Sequence, residues 1–481
     1  RVPARLSTQR YAFRLGNLGL PASPQLPAND FRKVAHMSPL ISIGCGAGFS
    51  ADRLDPACAL AESGRVSYLV FECVGERTLA HGHRDRMLNP EGGYNTLLKP
   101  RMRALLPICK RTGTRIVTNM GAANPKAAAQ ACIEVARELQ LPGLKVALVL
   151  GDDITESISP DWQLPEAGKT IGKIGHKVIG ANAYLGVEHL LPAIECEADV
   201  VITGRFADPS LFMAPVVHHY DWKLDDWDRL AAGTLMGHLF ECGMQLTGGY
   251  FADPPYKNVP DLAHCGYPLA EIDADGGLVV TKLPEAGGCV TLQTVKEQLV
   301  YEVHDPSAYL TPDVIADFSN VDLREEGRDR VRISGVRGRE RPRTLKVTVG
   351  FDGGFQGEAG ISYSGPGAQG RAELARDILL ERITRLHKCA GRLRIDLIGL
   401  NSIHGTATTR ASDTQDIRVY TTYQDFDRTA VETVMWEVES LLCCGPAGGG
   451  GFRGQVTPKV VTHSAFVKRD TIAAQTQVLE A

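Results

Sequence analysis

Four side chains able to do chemistry crowd one short stretch, Gly237-His238-Leu239-Phe240-Glu241-Cys242-Gly243-Met244-Gln245. His238 and Glu241 are three residues apart, so on a helix they share a face. A carboxylate beside an imidazole fixes one tautomer and makes the ring more basic, which suits proton transfer. The same spacing also serves a metal site or a purely structural hydrogen-bonded pair. A metallopeptidase motif would place a second His where this chain has Cys242, so that pattern fails. Gln245 and Tyr250 follow closely and are candidate substrate contacts.

Upstream, the apolar run Val200-Val201-Ile202 stops at Gly204 and is followed by Arg205 and Asp208. Open α/β sheets bind ligands just past the carboxyl ends of their strands. An Arg there can clamp a carboxylate or a CoA phosphate with two parallel hydrogen bonds. An Arg–Asp pair that only fixes the loop is the plainer alternative. Other strand-like runs end in the same manner. Val66 to Phe71 ends at Glu72, Thr114 to Thr118 at Asn119, and Lys145 to Leu150 at Gly151-Asp152-Asp153. Val178-Ile179 leads into Asn182. Asn and Gly after strands are ordinary turn formers, but this series on one rim would line one crevice. Lys282, after Leu278 to Thr281, is a further anion-binding candidate, to be weighed against a structural role.

Two glycine-rich segments bear on phosphate. Gly44-Cys45-Gly46-Ala47-Gly48 follows a strand-like run and precedes Ser50, a plausible helix cap. A dinucleotide fingerprint would need Gly where Phe49 stands, so bound NAD is disfavoured. A phosphate or carboxylate near Gly46 and Gly48, at the following helix start, fits better. Gly445 to Gly451, interrupted only by Pro446 and Ala447, lacks the Lys-Ser/Thr ending of a Walker loop. Gly449 and Gly450 are candidates for cradling phosphate or pantetheine, against a loop that only ends a helix.

These residues need a scaffold. Strands and helices alternate from Leu40 to about Val201, which predicts an α/β fold with a mostly parallel sheet and helices on both faces. Within it, Pro160 to Gly175 reads as a polar loop or lid. From about residue 261 the pattern changes to short strands with helices at Ala372 to Leu386 and Arg428 to Leu442. The expected division is a main α/β domain over 37–260, which carries the crevice, and a smaller α+β domain over 261–481 that completes the site. Residues 1–36 hold Arg1, Arg5, Arg10, Arg14, Arg32 and Lys33 but only one acid, Asp30. A leader outside the fold, with Met37 as the natural start, is expected; a transit peptide or a native arm are the alternatives.

The 481-residue chain is 43% hydrophobic and 22% charged, with a formal net charge of -4. That balance gives no reason to expect nucleic acid or an acidic membrane surface as partner. No apolar run reaches the roughly 18 residues a membrane span requires. Twelve cysteines without any CxxC spacing suggest reduced thiols in a cytoplasmic protein and no zinc site.

Several blocks are long enough to be diagnostic: GAGFSADR, TNMGAANPKAAA, GANAYLG, VVITGRFADPSL, GHLFECGMQLTGGYFADP, TVKEQLVYEVHDPSAYLTPDV and GPAGGGG. Together, from about Leu40 onward, they resemble the acyclic terpene utilization protein A family. The resemblance implies a branched or unsaturated acyl-CoA, or the free acid, as substrate, with CoA entering only as part of it. It also implies a ferredoxin-like partner subunit, because many relatives carry such a domain at their C-terminus. Combined with the residues above, the expectation is a soluble, homo-oligomeric catabolic enzyme that adds or removes water next to a carbonyl, without metal or other cofactor. Glu72, Asp208, His238 and Glu241 would carry the acid–base chemistry, while Arg205, Asn119, Asn182, Gln245, Tyr250 and Lys282 hold the substrate. The alternatives are a non-catalytic acyl-CoA-binding or scaffold subunit and a metal-dependent hydrolase or lyase using His238, Glu241 and Asp208.

Overall fold

The computed structural model describes residues 40–407 and 414–481; the expected leader over 1–36 lies outside them. The chain begins with β1 (Leu40–Ala47), α1 (Asp55–Glu62), β2 (Tyr68–Phe71), α2 (Glu76–Leu88) and α3 (Leu98–Thr112). It continues through β3 (Arg115–Thr118), α4 (Pro125–Glu138), β4 (Lys145–Leu150) and a small hairpin of β5 (Gln163–Leu164) and β6 (Lys169–Thr170). Next come β7 (Val178–Ala183), α5 (Val187–Glu195), β8 (Val200–Ile202), α6 (Asp208–Tyr220) and α7 (Trp227–Glu241). Then follow β9 (Pro268–Asp273), β10 (Leu278–Lys282), α8 (Leu292–Val300), β11 (Tyr309–Leu310), β12 (Ile315–Asp317), β13 (Asp322–Gly327), β14 (Arg330–Ser334) and β15 (Arg337–Arg339). The last elements are β16 (Thr344–Ser364), α9 (Ala368–Leu380), β17 (Arg392–Ile398), β18 (Asp416–Asp425), α10 (Arg428–Cys444), β19 (Gly450–Lys468) and β20 (Gln475–Glu480).

Ten strands make the main sheet, in the order β13-β14-β10-β9-β1-β2-β3-β8-β4-β20. The central five, β1-β2-β3-β8-β4, are parallel, and the flanking strands add in antiparallel fashion. The central runs are short, apolar and buried on both faces, as strands covered by helices must be. Helices α1, α3 and α4 pack together against the sheet, and α5, α6 and α7 pack together as a separate group against it. The two groups take opposite faces, which makes the α/β class expected from the alternating pattern. Local signals set the helix starts: Asn124 caps α4 by accepting from the Ala127 amide, and Pro125 occupies its first turn.

A second sheet has the order β17-β18-β16-β19, with β7 paired to the near end of β16. Helices α9 and α10 cover it around a core of their own, formed by residues between Ala359 and Leu441. The main core takes in residues from Ile41 to Phe351, and Ala465 and Val467. Strands on both sides of residue 260 share the main sheet, and Leu40–Ala481 form one compact unit. Two sequence expectations change here. Gly44 to Ala47 extends β1 instead of turning, because the strand is hydrogen-bonded on both sides, and α1 starts only at Asp55, behind Leu54 and not behind Ser50. The Pro160 to Gly175 segment is not a free lid: it forms the β5–β6 hairpin and buries Leu164 and Ile171 in the main core.

Candidate functional site

Parallel pairing puts the carboxyl ends of β2, β3, β4 and β8 on one rim. Glu72, Asn119, Asp152 and Arg205 follow those ends directly or within three residues. Asn182 reaches the same place from β7, which belongs to the second sheet. The five do meet, but they come from two sheets and not from one.

Arg205 is the centre. Its guanidinium is buried, 3% exposed. It donates to the Val74 carbonyl and, at 2.8 Å, to Asp208 Oδ1. Glu72 Oε1 lies 3.8 Å away, and the Tyr184 ring faces the guanidinium at 4.1 Å. The Arg205 amide donates to Asp152 Oδ2 at 2.7 Å. Glu72 in turn accepts from the Val74 amide at 2.8 Å and from Asn119 Nδ2 at 2.9 Å. Asn119 Oδ1 accepts from the Cys73 amide. The loop after β2 is therefore pinned by the loop after β3.

Charge is crowded around this cation. Burial raises the Glu72 carboxyl above the usual carboxylate range, against the pull of Arg205 and Asn119. Burial raises Asp208 further; Arg205 opposes it, and the nearby carboxylates of Glu72, Glu241 and Glu76 add to the rise. Glu76 goes the other way. Although burial opposes ionisation there, Arg205, the Tyr184 hydroxyl and Lys346 hold it at about 2. Asp152 is pushed up to about 6 by burial, which outweighs its bonds from the Arg205 amide and Asn182.

Behind Asp152 runs a buried chain. Asn182 Nδ2 donates to Asp152 at 2.8 Å, and Asn182 Oδ1 lies 2.5 Å from His83 Nε2. Arg86 donates to His83 Nδ1 at 3.3 Å, which leaves the proton of a neutral ring on Nε2. His83 was not visible as a site residue in the sequence, since nothing local links it to a position 99 residues away.

His238 sits at the end of α7, fully buried. Its Nδ1 is 3.1 Å from Glu241 Oε1 and its Nε2 is 3.2 Å from the Leu299 carbonyl. Tyr309 and Phe318 lie against the ring at 5.0 and 5.7 Å. Both nitrogens face acceptors. Burial works against the charge, but Glu241 and the carbonyl outweigh it and raise the imidazole. The enclosed ring thus anchors Glu241. The second Glu241 oxygen is buried without a hydrogen-bond partner among the described residues, and so is Arg205 Nε.

Asp208 is the acid that opens outward, with 28% of its side chain exposed. It lines a cleft of ≈ 240 Å³ together with Tyr184, Tyr309, Pro312, Lys346 and Phe466. Lys346 donates to Glu76 Oε1 at 3.0 Å and lies 4.8 Å from the Tyr184 ring centre. Tyr184 bonds to Glu76 and to Thr348. Tyr184, Lys346, Glu76 and Tyr309 are the functional residues that sequence reasoning missed.

Other candidates lie elsewhere. Lys282 is buried and spends its ammonium on the Ala286 and Leu283 carbonyls and on Asp329. Tyr250 is 81% exposed and meets Tyr301 edge-on, and Gln245 also bonds to Tyr301. A Cβ on Gly46 would fall within 2.4 Å of the Phe71 ring, and one on Gly48 within 2.3 Å of the Gly243 amide. The Gly48 amide donates to Asp52. These two glycines serve close packing and offer no phosphate cradle. Gly449 and Gly450 adjoin Ser362 on β16, sixteen residues along the strand from Lys346. At about 3.3 Å per residue that is roughly 50 Å of strand, so they do not reach the cleft. Among the described residues no three His, Cys, Asp or Glu side chains are grouped to hold a metal ion. Nor is any described helix long and apolar enough to cross a membrane.

Fold and site together define an α/β protein with a buried carboxyl cluster around Arg205, beside a cleft, where its parallel strands end. The family model described as acyclic terpene utilisation family protein AtuA matches residues 41–478, and the chain belongs to that family. No curated protein and no solved structure matches it.

Proposed function

We propose that the protein is a cytoplasmic hydro-lyase acting on a small branched or unsaturated organic acid, free or as its CoA thioester, in acyclic terpene or related acid breakdown. One observation carries this reading: three carboxyl groups, Asp208, Glu72 and Glu76, lie around the buried Arg205, Glu241 stands close to two of them, and Asp208 opens on the cleft. Arg205, Lys346 and a protonated His238 supply three positive charges against the four carboxylates of Glu72, Glu76, Asp208 and Glu241. The imbalance favours a proton held on a carboxyl group, and burial raises Asp208 well above the usual carboxylate range. A carboxyl that keeps its proton near neutral pH is a general acid. Asp208 would give its proton to the departing hydroxyl from one oxygen and take the proton of the breaking α C–H bond on the other, so that water leaves, the double bond forms and the acid is regenerated. The Tyr309 hydroxyl and Lys346 line the same cleft and would stabilise charge developing on a substrate carbonyl oxygen. The chemistry needs no redox cofactor.

The test is turnover of a panel of enoyl-CoAs, 3-hydroxyacyl-CoAs and the corresponding free acids by the wild type and by Asp208→Asn and Glu72→Gln. Hydration or dehydration of at least one member is expected, with a loss of about 10²–10⁴-fold in Asp208→Asn. Undiminished turnover in Asp208→Asn would remove that residue from the chemistry. No turnover of any member by the wild type would sink the proposal.

A further inference from the structure

We infer that the cleft recognises its substrate by a carboxylate, that Lys346 is the residue that reads it, and that the body attached to this carboxylate is short and apolar. The inference rests on the cleft being the substrate site, but not on the reaction being a hydration.

Among the described residues Lys346 is the only cationic side chain lining the cleft. Two nearby cations are committed elsewhere: Arg205 is 3% exposed, covered by Tyr184 and bonded to Val74 and Asp208, and Arg469 is bonded to Glu188 and to the Pro312 and Pro342 carbonyls. Lys346 keeps 40% of its side chain exposed. Its ammonium has three donors; Glu76 and the Tyr184 hydroxyl use two of them and the third is left for a ligand. The Tyr184 ring fixes the direction of the amine from the side at 4.8 Å. The geometry is set by strand pairing. Tyr184 follows β7, its amide bonds to the Lys346 carbonyl, and Lys346 is opposite Phe466 on β19. The three side chains form a row across adjacent strands, with the cation in the middle.

The remaining walls are mostly apolar, with Leu310, Pro312, Pro342 and Phe466 among them and Tyr309, Thr311 and Thr344 adding hydroxyls. The cleft volume of ≈ 240 Å³ suits an acid of a few carbons. A CoA thioester would place only its acyl end inside, so an anion recognised within the cleft is a carboxylate. Glu76 competes with it for the same ammonium, which makes Glu76 a tuning residue: removing its charge should strengthen the acid and leave a neutral ligand unaffected.

The experiment is titration calorimetry of the full chain with 3-methylbutanoate and with its uncharged isostere 3-methylbutanamide. Wild type is expected to bind the acid about tenfold or more tightly than the amide. Lys346→Met should abolish that preference, Lys346→Arg should keep it, and Glu76→Gln should increase it. Equal binding of acid and amide by the wild type, or no binding of the acid, would overturn the inference. So would a folded Lys346→Met that still prefers the acid. The wild-type comparison alone decides if a variant fails to fold. Binding of the acid without turnover of any enoyl or hydroxyacyl substrate would refute the hydration reading and leave this one standing.

Discussion

Replacing Arg205 by Met keeps volume and removes the charge that the site is built around. Arg205 is 3% exposed, pairs with Asp208 at 2.8 Å and stands 3.8 Å from Glu72, itself 8% exposed. Removing one partner of a buried ion pair leaves an uncompensated charge and costs about 3–5 kcal/mol. Asp208 is partly open to water, which screens it, so Glu72 carries most of this cost. The variant should escape part of it by taking up protons. In the wild type the folded-state carboxyls of Glu72 and Asp208 already lie above their unfolded values; without Arg205 they rise further. Such a group carries no penalty below the unfolded value near pH 4. Above that, the penalty grows by about 1.4 kcal/mol per pH unit until the folded value is passed. Arg205→Met should therefore be markedly less destabilised at pH 5 than at pH 8. Urea unfolding followed by circular dichroism at both pH values measures this. A loss below about 1 kcal/mol at pH 8, or the same loss at both, would refute the assignment of Arg205 as the counterion of a buried carboxyl cluster.

Two further outcomes test the surroundings. His238, raised by Glu241 and the Leu299 carbonyl, should be doubly protonated at neutral pH, and its contribution to stability should be full below its unfolded value near 6.5 and fade as pH rises through the folded one; ring nitrogen shifts of a neutral imidazole at pH 7 would contradict this. Gly48→Ala puts a methyl within 2.4 Å of the Glu241 carbonyl and should cost about 3 kcal/mol or more, whereas Gly450→Ala meets nothing within 4 Å and should stay within about 0.5 kcal/mol, both read from urea midpoints.

Much of the parallel core was legible because its strands are short apolar runs that stop at polar residues. Glu72, Asn119 and Arg205 were found by that local rule alone. The rule does not say which sheet a strand joins, so Asn182 was placed on the wrong one. Residues from the second sheet were illegible for a related reason. In Leu345-Lys346-Val347-Thr348-Val349 the alternation shows that Lys346 and Thr348 share a face, but not what that face meets. Lys346 finds Glu76 across 270 residues, and no periodicity carries that information. Glycines misled in the other direction. Gly46 and Gly48 look like a phosphate loop because close approach to a phosphate and close approach to another backbone demand the same missing side chain. Here the second applies.

The 21-residue strand β16 has a consequence for how the chain can change by insertion. Its pairing with β19 loses register between Asp352 and Phe355, across Gly353 and Gly354, and again between Gly360 and Ser362. Between Thr344 and Asp352 the pairing with β19 is unbroken, with Leu345, Val347, Val349 and Phe351 in the core and Lys346 at the cleft. One extra residue there would turn Lys346 and Thr348 into the core and bring Leu345 or Val347 out in their place. One extra residue at Gly353-Gly354 would fall where the frame is already interrupted and leave the cleft end unaltered. The strand thus behaves as two reading frames joined at a flexible splice. Length variation among relatives of this chain should collect at that splice and beyond it, and be absent from the nine residues that face the cleft end.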